Sequence, residues 1–296
     1  MTTSADLPAP AANVEQRAVV MHGIAVILCS SVLLGAMAVC VRVATAEMPA
    51  GQVAFVRFIG SLLVLLALRG GRSLRPNGLL PPVLLRGLLG GGAILIYYHA
   101  ISTAGAGLAT LLHCTYPIWT TIVATAFLGE RFNGRLAVAL ALFVGGIAIV
   151  VGPGANLGNA STTGALSALC SSVLAGSAVA TARQLRLSET AYLVTTYFMA
   201  VGALLTAPAL LAGLPALTPH LQVALAGVVL TSVAGQMLLH HGLGFAPATQ
   251  ASIAAATSVV SAAGFESLFL GATLSSHTLV GAAVLVCAVG LAVSRR

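Results

Sequence analysis

Apolar residues in this chain come in long blocks, near 20–43, 52–68, 83–102, 106–128, 135–152, 163–182, 190–211, 221–241, 247–270 and 277–293. A helix needs about 20 consecutive apolar residues to cross the roughly 30 Å hydrocarbon core of a bilayer. Each block is close to that size. Gly-, Pro- or charge-rich breaks separate them, among them Glu47-Met48-Pro49, Arg69 to Pro82, Gly129 to Gly134 and Arg183 to Glu189. The shortest, Ser102 to Gly107, divides the third block from the fourth. The pattern predicts an all-α polytopic membrane protein with ten transmembrane helices.

Composition excludes a soluble alternative. The chain is 58% hydrophobic and 6% charged with a mean hydropathy of +1.04, whereas soluble domains carry about 25% charged residues. Thirteen basic residues, all arginine, and six acids cannot solvate a surface of 296 residues. The net charge of +7 does not point to nucleic acid, because no basic stretch is interleaved with aromatics. The five cysteines (Cys29, Cys40, Cys114, Cys170, Cys287) lie in apolar runs without CxxC spacing, as small hydrophobes do. Residues 1–18 lack a basic segment leading into a cleavage site and are expected to form a disordered cytoplasmic tail.

The chain repeats itself. Gly23 to Val32 (GIAVILCSSV) matches Gly164 to Val173 (GALSALCSSV) at an offset of 141 residues. In the same register Gly35 meets Gly176, Arg42 meets Arg183 and His99 meets His240. After a one-residue slip, Phe127-Leu128-Gly129 meets Phe269-Leu270-Gly271. The expected halves are 19–152 and 153–296, with five helices each.

Five is odd, so the second copy enters the membrane from the opposite side. With both termini cytoplasmic, Arg17, Arg69, Arg72, Arg75, Arg86, Arg131, Arg135, Arg183, Arg186, Arg295 and Arg296 fall at inner ends, leaving Arg42 and Arg57 towards the outside. That is the positive-inside distribution. Arg69, Arg72, Arg75 and Arg86 become Leu210, Gly213, Ala216 and Gly227 in the copy that lies outside. Inverted repeats of this kind build secondary transporters, with the substrate site at mid-membrane between the halves.

The 5+5 repeat, Val56-Arg57-Phe58 and the stretch from Pro117 to Leu128-Gly129-Glu130 resemble the drug/metabolite transporter superfamily, in its ten-helix branch with paired EamA domains. The resemblance covers about 20–293 and is specific for the superfamily but not for a substrate. It implies a multi-pass protein of the bacterial inner membrane that exports amino acids, aromatic or otherwise neutral, and related metabolites. The aromatic amino acid exporter subgroup is the nearest within it. Two departures stand out: Ala272 replaces the acid that Glu130 represents, and the first helix, His22 to Val43, contains no Asp or Glu. The small four-helix multidrug members use an acid there for proton coupling. A proton-coupled multidrug transporter, or one for another metabolite such as a nucleotide sugar, remains the alternative.

Polar groups are costly in lipid and face a cavity or a partner. Ser30 and Ser31, with their mates Ser171 and Ser172, lie near the midplane one turn before Gly35 and Gly176. They line a substrate path or serve tight helix packing. In the fourth block His113, Tyr116, Pro117 and Thr120 share one helical face with Trp119 beside it, and Pro117 frees a backbone carbonyl. Thr257, Ser258 and Ser261 are the counterparts in the ninth. These faces are expected to make a mildly polar, aromatic-lined cavity without fixed charge, suited to zwitterionic or neutral solutes. His99, preceded by Tyr97 and Tyr98, and its mate His240 are gating candidates near opposite mouths. Arg57 and Glu266 are expected at similar depth, as a pair or polar network, with Arg57 alternatively holding a substrate carboxylate.

No His/Cys/acid cluster has metal-ligand spacing, and no cofactor is expected. Without a lysine, no GxxxxGK[ST] nucleotide motif occurs. The partners implied are the lipid bilayer and a small-molecule substrate, in a monomer or homodimer, with Gly87-xxx-Gly91 as a packing motif within or between chains. An intramembrane enzyme and a channel are the rival classes. The first lacks a signal that joins one Ser to one His and an acid; the second lacks a filter motif.

Overall fold

A computed structural model describes residues 9–152, 161–213, 215–273 and 275–293. Among them the regular structure is helical. The helices are α1 (Ala9–Ala44), α2 (Ala50–Ala67), α3 (Leu80–Ala104), α4 (Ala106–His113), α5 (Tyr116–Phe127), α6 (Gly134–Val151), α7 (Thr162–Leu185), α8 (Ala191–Thr206), α9 (Pro219–Gly242), α10 (Ala248–Ala255), α11 (Ser258–Leu270) and α12 (Ser276–Val293). Among the described residues nine stretches are long and apolar enough to cross a membrane, α10 and α11 together counting as one. The interrupted pair α4 and α5 makes the tenth. The helix that starts at Ala9 shortens the tail expected over 1–18, of which residues 1–8 lie outside the described residues.

The two interrupted spans are repeat mates. Pro117 sits in the first turn of α5, where its missing N–H costs nothing, and the break falls at Cys114 and Thr115. The ninth span breaks in the equivalent place, at Ala256 and Thr257, without a proline. A broken span leaves carbonyls without intrahelical donors, and in a membrane these must be satisfied by protein. Of the repeated serine pairs, Ser31 does this for the ninth span. Ser31 donates to Ala254 O at 2.9 Å and to Ala255 O at 3.2 Å. Its mate Ser172 bonds Thr115 Oγ1 at 2.8 Å, and Ser171 bonds His113 Nδ1 at 2.5 Å.

The glycine one turn later brings the helices together. A Cβ on Gly35 would stand 2.6 Å from Ser261 Cβ, and one on Gly176 would stand 2.6 Å from both Trp119 Cβ and Tyr116 O. Trp119 and Ser261 are themselves repeat mates, so each half presses its first helix against the broken span of the other half. The same symmetry orders the larger contacts: α1 packs on α9 as α7 does on α3, and α6 packs on α12. Phe143, Ile147 and Leu285 are fully or almost fully buried in that last contact region. Gly129 and Gly271 end α5 and α11 with φ of +67° and +65°, a left-handed stop that explains the repeated Phe-Leu-Gly.

Gly87 and Gly91 serve packing within the chain. A Cβ at either would meet α8, at Val201 or Leu205. The arginines of the cytoplasmic side have a local role too. Arg183 and Arg186 donate to Leu243 O and His240 O at the end of α9, and Arg135 donates to Leu291 O in α12. Cations on helix C-terminal carbonyls both satisfy orphan acceptors and complement the helix dipole.

Candidate substrate site

Arg57 lies in α2, two turns from its outer end, and is 5% exposed. Its Nε donates to Ser232 Oγ of α9 at 3.0 Å, and the Tyr98 hydroxyl of α3 lies beside the same guanidinium. No carboxylate is within 4 Å of it among the described residues. A guanidinium has five N–H donors, and hydroxyls do not neutralise its charge. Burying a cation in a membrane without an anion is expensive, and such residues mark ligand or ion sites.

An aromatic wall runs on from that cation. The Tyr98 and Tyr97 ring centroids are 6.2 Å apart, Tyr97 stacks on His113 at 4.3 Å, and His113 lies 6.0 Å from Tyr116. Tyr97 is oriented by Thr110 Oγ1 at 2.7 Å and His113 by Ser171. Tyr116 closes the row by donating to Ser252 O of the other half at 3.3 Å. The second, third and fourth spans thus present a positive end followed by apolar ring faces. This matches a solute with a carboxylate at one end and an apolar or aromatic body.

Other candidates fall elsewhere. Ser31, Ser172 and Thr120 are buried, and Thr120 bonds Tyr116 O and Gly176 O; all three hold the broken spans. Trp119 and Ser261 have their Cβ atoms against Gly176 and Gly35. Ser258 is half-buried at the start of α11. His99 is exposed on an open, mainly apolar groove with Leu95, Ile96, Leu166, Ser167 and Cys170. It is therefore not an equivalent of His240, which is fully buried.

Two expectations about charge are corrected. Glu266 does not reach Arg57; its Oε2 lies 2.7 Å from Arg42 Nη1, on a partly exposed rim. The expected absence of fixed charge fails as well, because Arg57 stands at the end of the aromatic row with no carboxylate within 4 Å among the described residues. Arg86, expected as one of the positive charges at the inner helix ends, is instead buried. It is 4% exposed, with its guanidinium 4.4 Å from the Phe198 ring centre and its Nη2 3.1 Å from His240 Nε2. Thr195 Oγ1 donates to Ala191 O and so accepts from His240 Nδ1 at 2.7 Å. This chain of bonds assigns the Nδ1–H form of a neutral His240, whose Nε2 lone pair accepts from Arg86.

Ser232, Gln236, Thr195 and Arg86 were missed as interior residues. Ser232, Gln236 and His240 recur at every fourth position, one polar stripe on an apolar helix, and that spacing was the available signal. Glu130, part of the family resemblance, takes Ala248 N at 2.5 Å and Thr249 N and Oγ1 at 3.2 Å each. It caps α10 with an anion where the helix dipole favours one. Among the described residues no group of three His, Cys, Asp or Glu side chains could hold a metal ion.

The architecture has known relatives. The family model for EamA-like transporters matches residues 21–152 and again 162–294. The chain belongs to the EamA-like transporter family. It is accordingly a multi-pass transporter of the bacterial inner membrane. It is 29% identical over 271 residues to the pseudopaline exporter CntI of Pseudomonas aeruginosa, in strains UCBPP-PA14 and PAO1 alike, covering 90% of this chain and 94% of the relative. A crystal structure of a protein with 17% identity superposes with a TM-score of 0.77 over 90% of this chain and 94% of that one, which shows the shared fold.

Proposed function

We propose that this transporter exports amino acids or closely related carboxylate-bearing metabolites, and that Arg57 takes the substrate carboxylate. The observation that carries the reading is the buried, acid-free guanidinium of Arg57 at the end of the Tyr98–Tyr97–His113–Tyr116 wall. A carboxylate accepts a bidentate pair of N–H bonds from a guanidinium. The rings offer apolar area to the rest of the solute. The relatives export a small molecule, in keeping with export here.

Alternating access supplies the mechanism. In this conformation α10, the cytoplasmic half of the ninth span, buries Ala248, Thr249 and Ala251 through Ala255 against α1, α5 and α7. The outer half, α11, buries none of its side chains. This favours a state closed towards the cytoplasm, in which Arg57 is approached from outside. Rocking of the halves about the two breaks would expose the same site inside. A multidrug reading needs an unpaired acid for an organic cation, and the charge beside the aromatic wall has the opposite sign.

Counterflow in proteoliposomes tests the proposal. Vesicles preloaded with unlabelled phenylalanine or threonine should accumulate the labelled amino acid, saturably, with or without a pH gradient. Uptake of an organic cation that requires the gradient, with no amino acid counterflow, would overturn it.

A further inference from the structure

Among the described residues Arg86 is, beside Arg57, the second buried arginine, and its bonding is incomplete. Its Nε and Nη1 are buried without a hydrogen-bond partner, and only Nη2 has one, on His240. Gln236 Oε1, one turn before His240 on α9, is likewise buried and unpartnered. An arginine with a purely structural role would be expected to have its donors satisfied, since each unmade bond to a buried charged group costs more than a neutral one. The arrangement has no symmetric counterpart: the repeat mate of Arg86 is Gly227, and that of His240 is the exposed His99.

Ser232, Gln236 and His240 lie on one stripe of α9 and are all buried. The stripe starts at Arg57, which bonds Ser232, and ends at Arg86, which bonds His240. At 1.5 Å per residue the two ends are about 12 Å apart along the helix. Among the described residues no carboxylate comes within 4 Å of either guanidinium: Glu266 is on Arg42, Glu130 on the amides of α10, and Glu189, buried at the cytoplasmic start of α8, accepts from Gly78 N through Oε1. Two guanidiniums thus bracket a polar track with no protein carboxylate on either.

We propose that Arg86 is a second anion-binding position at the cytoplasmic end of this track, held by neutral His240 while empty, and that among amino-acid-like substrates the site prefers those with a net negative charge over zwitterions. The inference rests on the reading of Arg57 above. A zwitterion compensates one guanidinium while bringing a cation towards the other. A solute with an additional carboxylate compensates both in turn as it passes. A carboxylate also accepts from two N–H groups of Arg86, where the single Nε2 lone pair of His240 accepts from one.

Glutamate and glutamine differ by one anionic group at nearly constant size and make the test direct. Ligand-induced thermal stabilisation of the detergent-purified protein gives a half-maximal concentration for each. The expected glutamate value is at least tenfold below that of glutamine. In Arg86→Gln the ratio should fall to about one, and Arg86→Lys should restore at least threefold. Equal values in the wild type, or an unchanged ratio in Arg86→Gln, would overturn the second position while leaving Arg57 intact. Stabilisation by neither amino acid would overturn both readings. If Arg86→Gln fails to fold, His240→Ala decides: freeing the guanidinium should lower the glutamate value severalfold relative to glutamine, and no change would overturn the proposal.

Discussion

Glu266 lies 2.7 Å from Arg42 at the outer rim, and this pairing leaves Arg57, the nearest buried cation on that side, without an acid. Arg42 and Glu266 solve a local problem of two charges near a helix end. Arg57 is held instead by neutral hydroxyls, Ser232 at 3.0 Å and Tyr98 beside it. Hydroxyls orient a guanidinium and leave its charge available, which is what a site for an exchangeable carboxylate requires.

The Ser232 and Tyr98 hydroxyls should therefore act through Arg57. Hydrogen bonds to charged groups contribute about 1.5–3 kcal/mol each. Ser232→Ala and Tyr98→Phe should each raise KM for a carboxylate substrate by roughly tenfold, measured by counterflow, with little change in the purified protein's melting temperature. A fall in melting temperature without a change in KM would assign these hydroxyls to folding.

The Arg42–Glu266 pair should matter little. Its side chains are 59% and 30% exposed, and pairs of this kind contribute about 0–1 kcal/mol. Glu266→Gln should leave transport within about twofold of wild type and be insensitive to salt beyond a small stability change. A loss of transport comparable to that of an Arg57 variant would return Glu266 to the site.

Close approach at the broken spans gives a third expectation. A methyl group on Gly35 or Gly176 would stand 2.6 Å from Ser261 Cβ or from Trp119 Cβ and Tyr116 O, with backbone among the nearest atoms in both cases. Overpacking of this kind costs about 1–3 kcal/mol. Gly35→Ala and Gly176→Ala should each lower the melting temperature by several degrees, and similarly, because the sites are repeat mates. Substitutions tolerated without a shift would show that the helices can part there freely.

The outer clasp at Glu47 carries a pH signature. Thr218 Oγ1 donates to Glu47 Oε2 at 2.6 Å and His220 Nδ1 lies 2.9 Å from Oε1. The Thr218 hydroxyl first, then His220, hold this carboxyl below its usual value of 4.5. A depressed carboxylate stabilises the fold above its unfolded pKa and loses that contribution as pH falls through its folded value. Glu47→Gln should lower the melting temperature slightly at pH 7 relative to wild type, and the gap should close at pH values well below 4.5. A gap that persists in acid would show that the clasp acts without the charge.

Much of the fold was legible because lipid imposes simple rules. Ten apolar blocks, a repeat offset of 141 and the arginine asymmetry need only helix length and charge to be read. The break in the fourth span was marked by Pro117. Its mate at Ala256 and Thr257 was not, because serines on neighbouring helices rather than a proline stabilise it. The same serines, Ser31 and Ser172, looked equally suited to a substrate path, and only their bonds to the broken spans separate the two uses. The site was less legible. Arg86 sits where positive-inside arginines belong and so passed for one of them. The partner of Arg57 depended on helix rotation, which apolar periodicity on a lipid-facing helix leaves undetermined.

The role of Arg57 is tested most directly by competition between phenylalanine and phenylalaninamide, which lacks the carboxylate, against labelled phenylalanine counterflow in wild-type and Arg57→Gln proteoliposomes. The account predicts that phenylalanine competes in the wild type at least tenfold better than the amide, and that Arg57→Gln abolishes the counterflow that this preference reports. An amide that competes as well as the acid, or an Arg57→Gln protein that still transports and still prefers the acid, would contradict it.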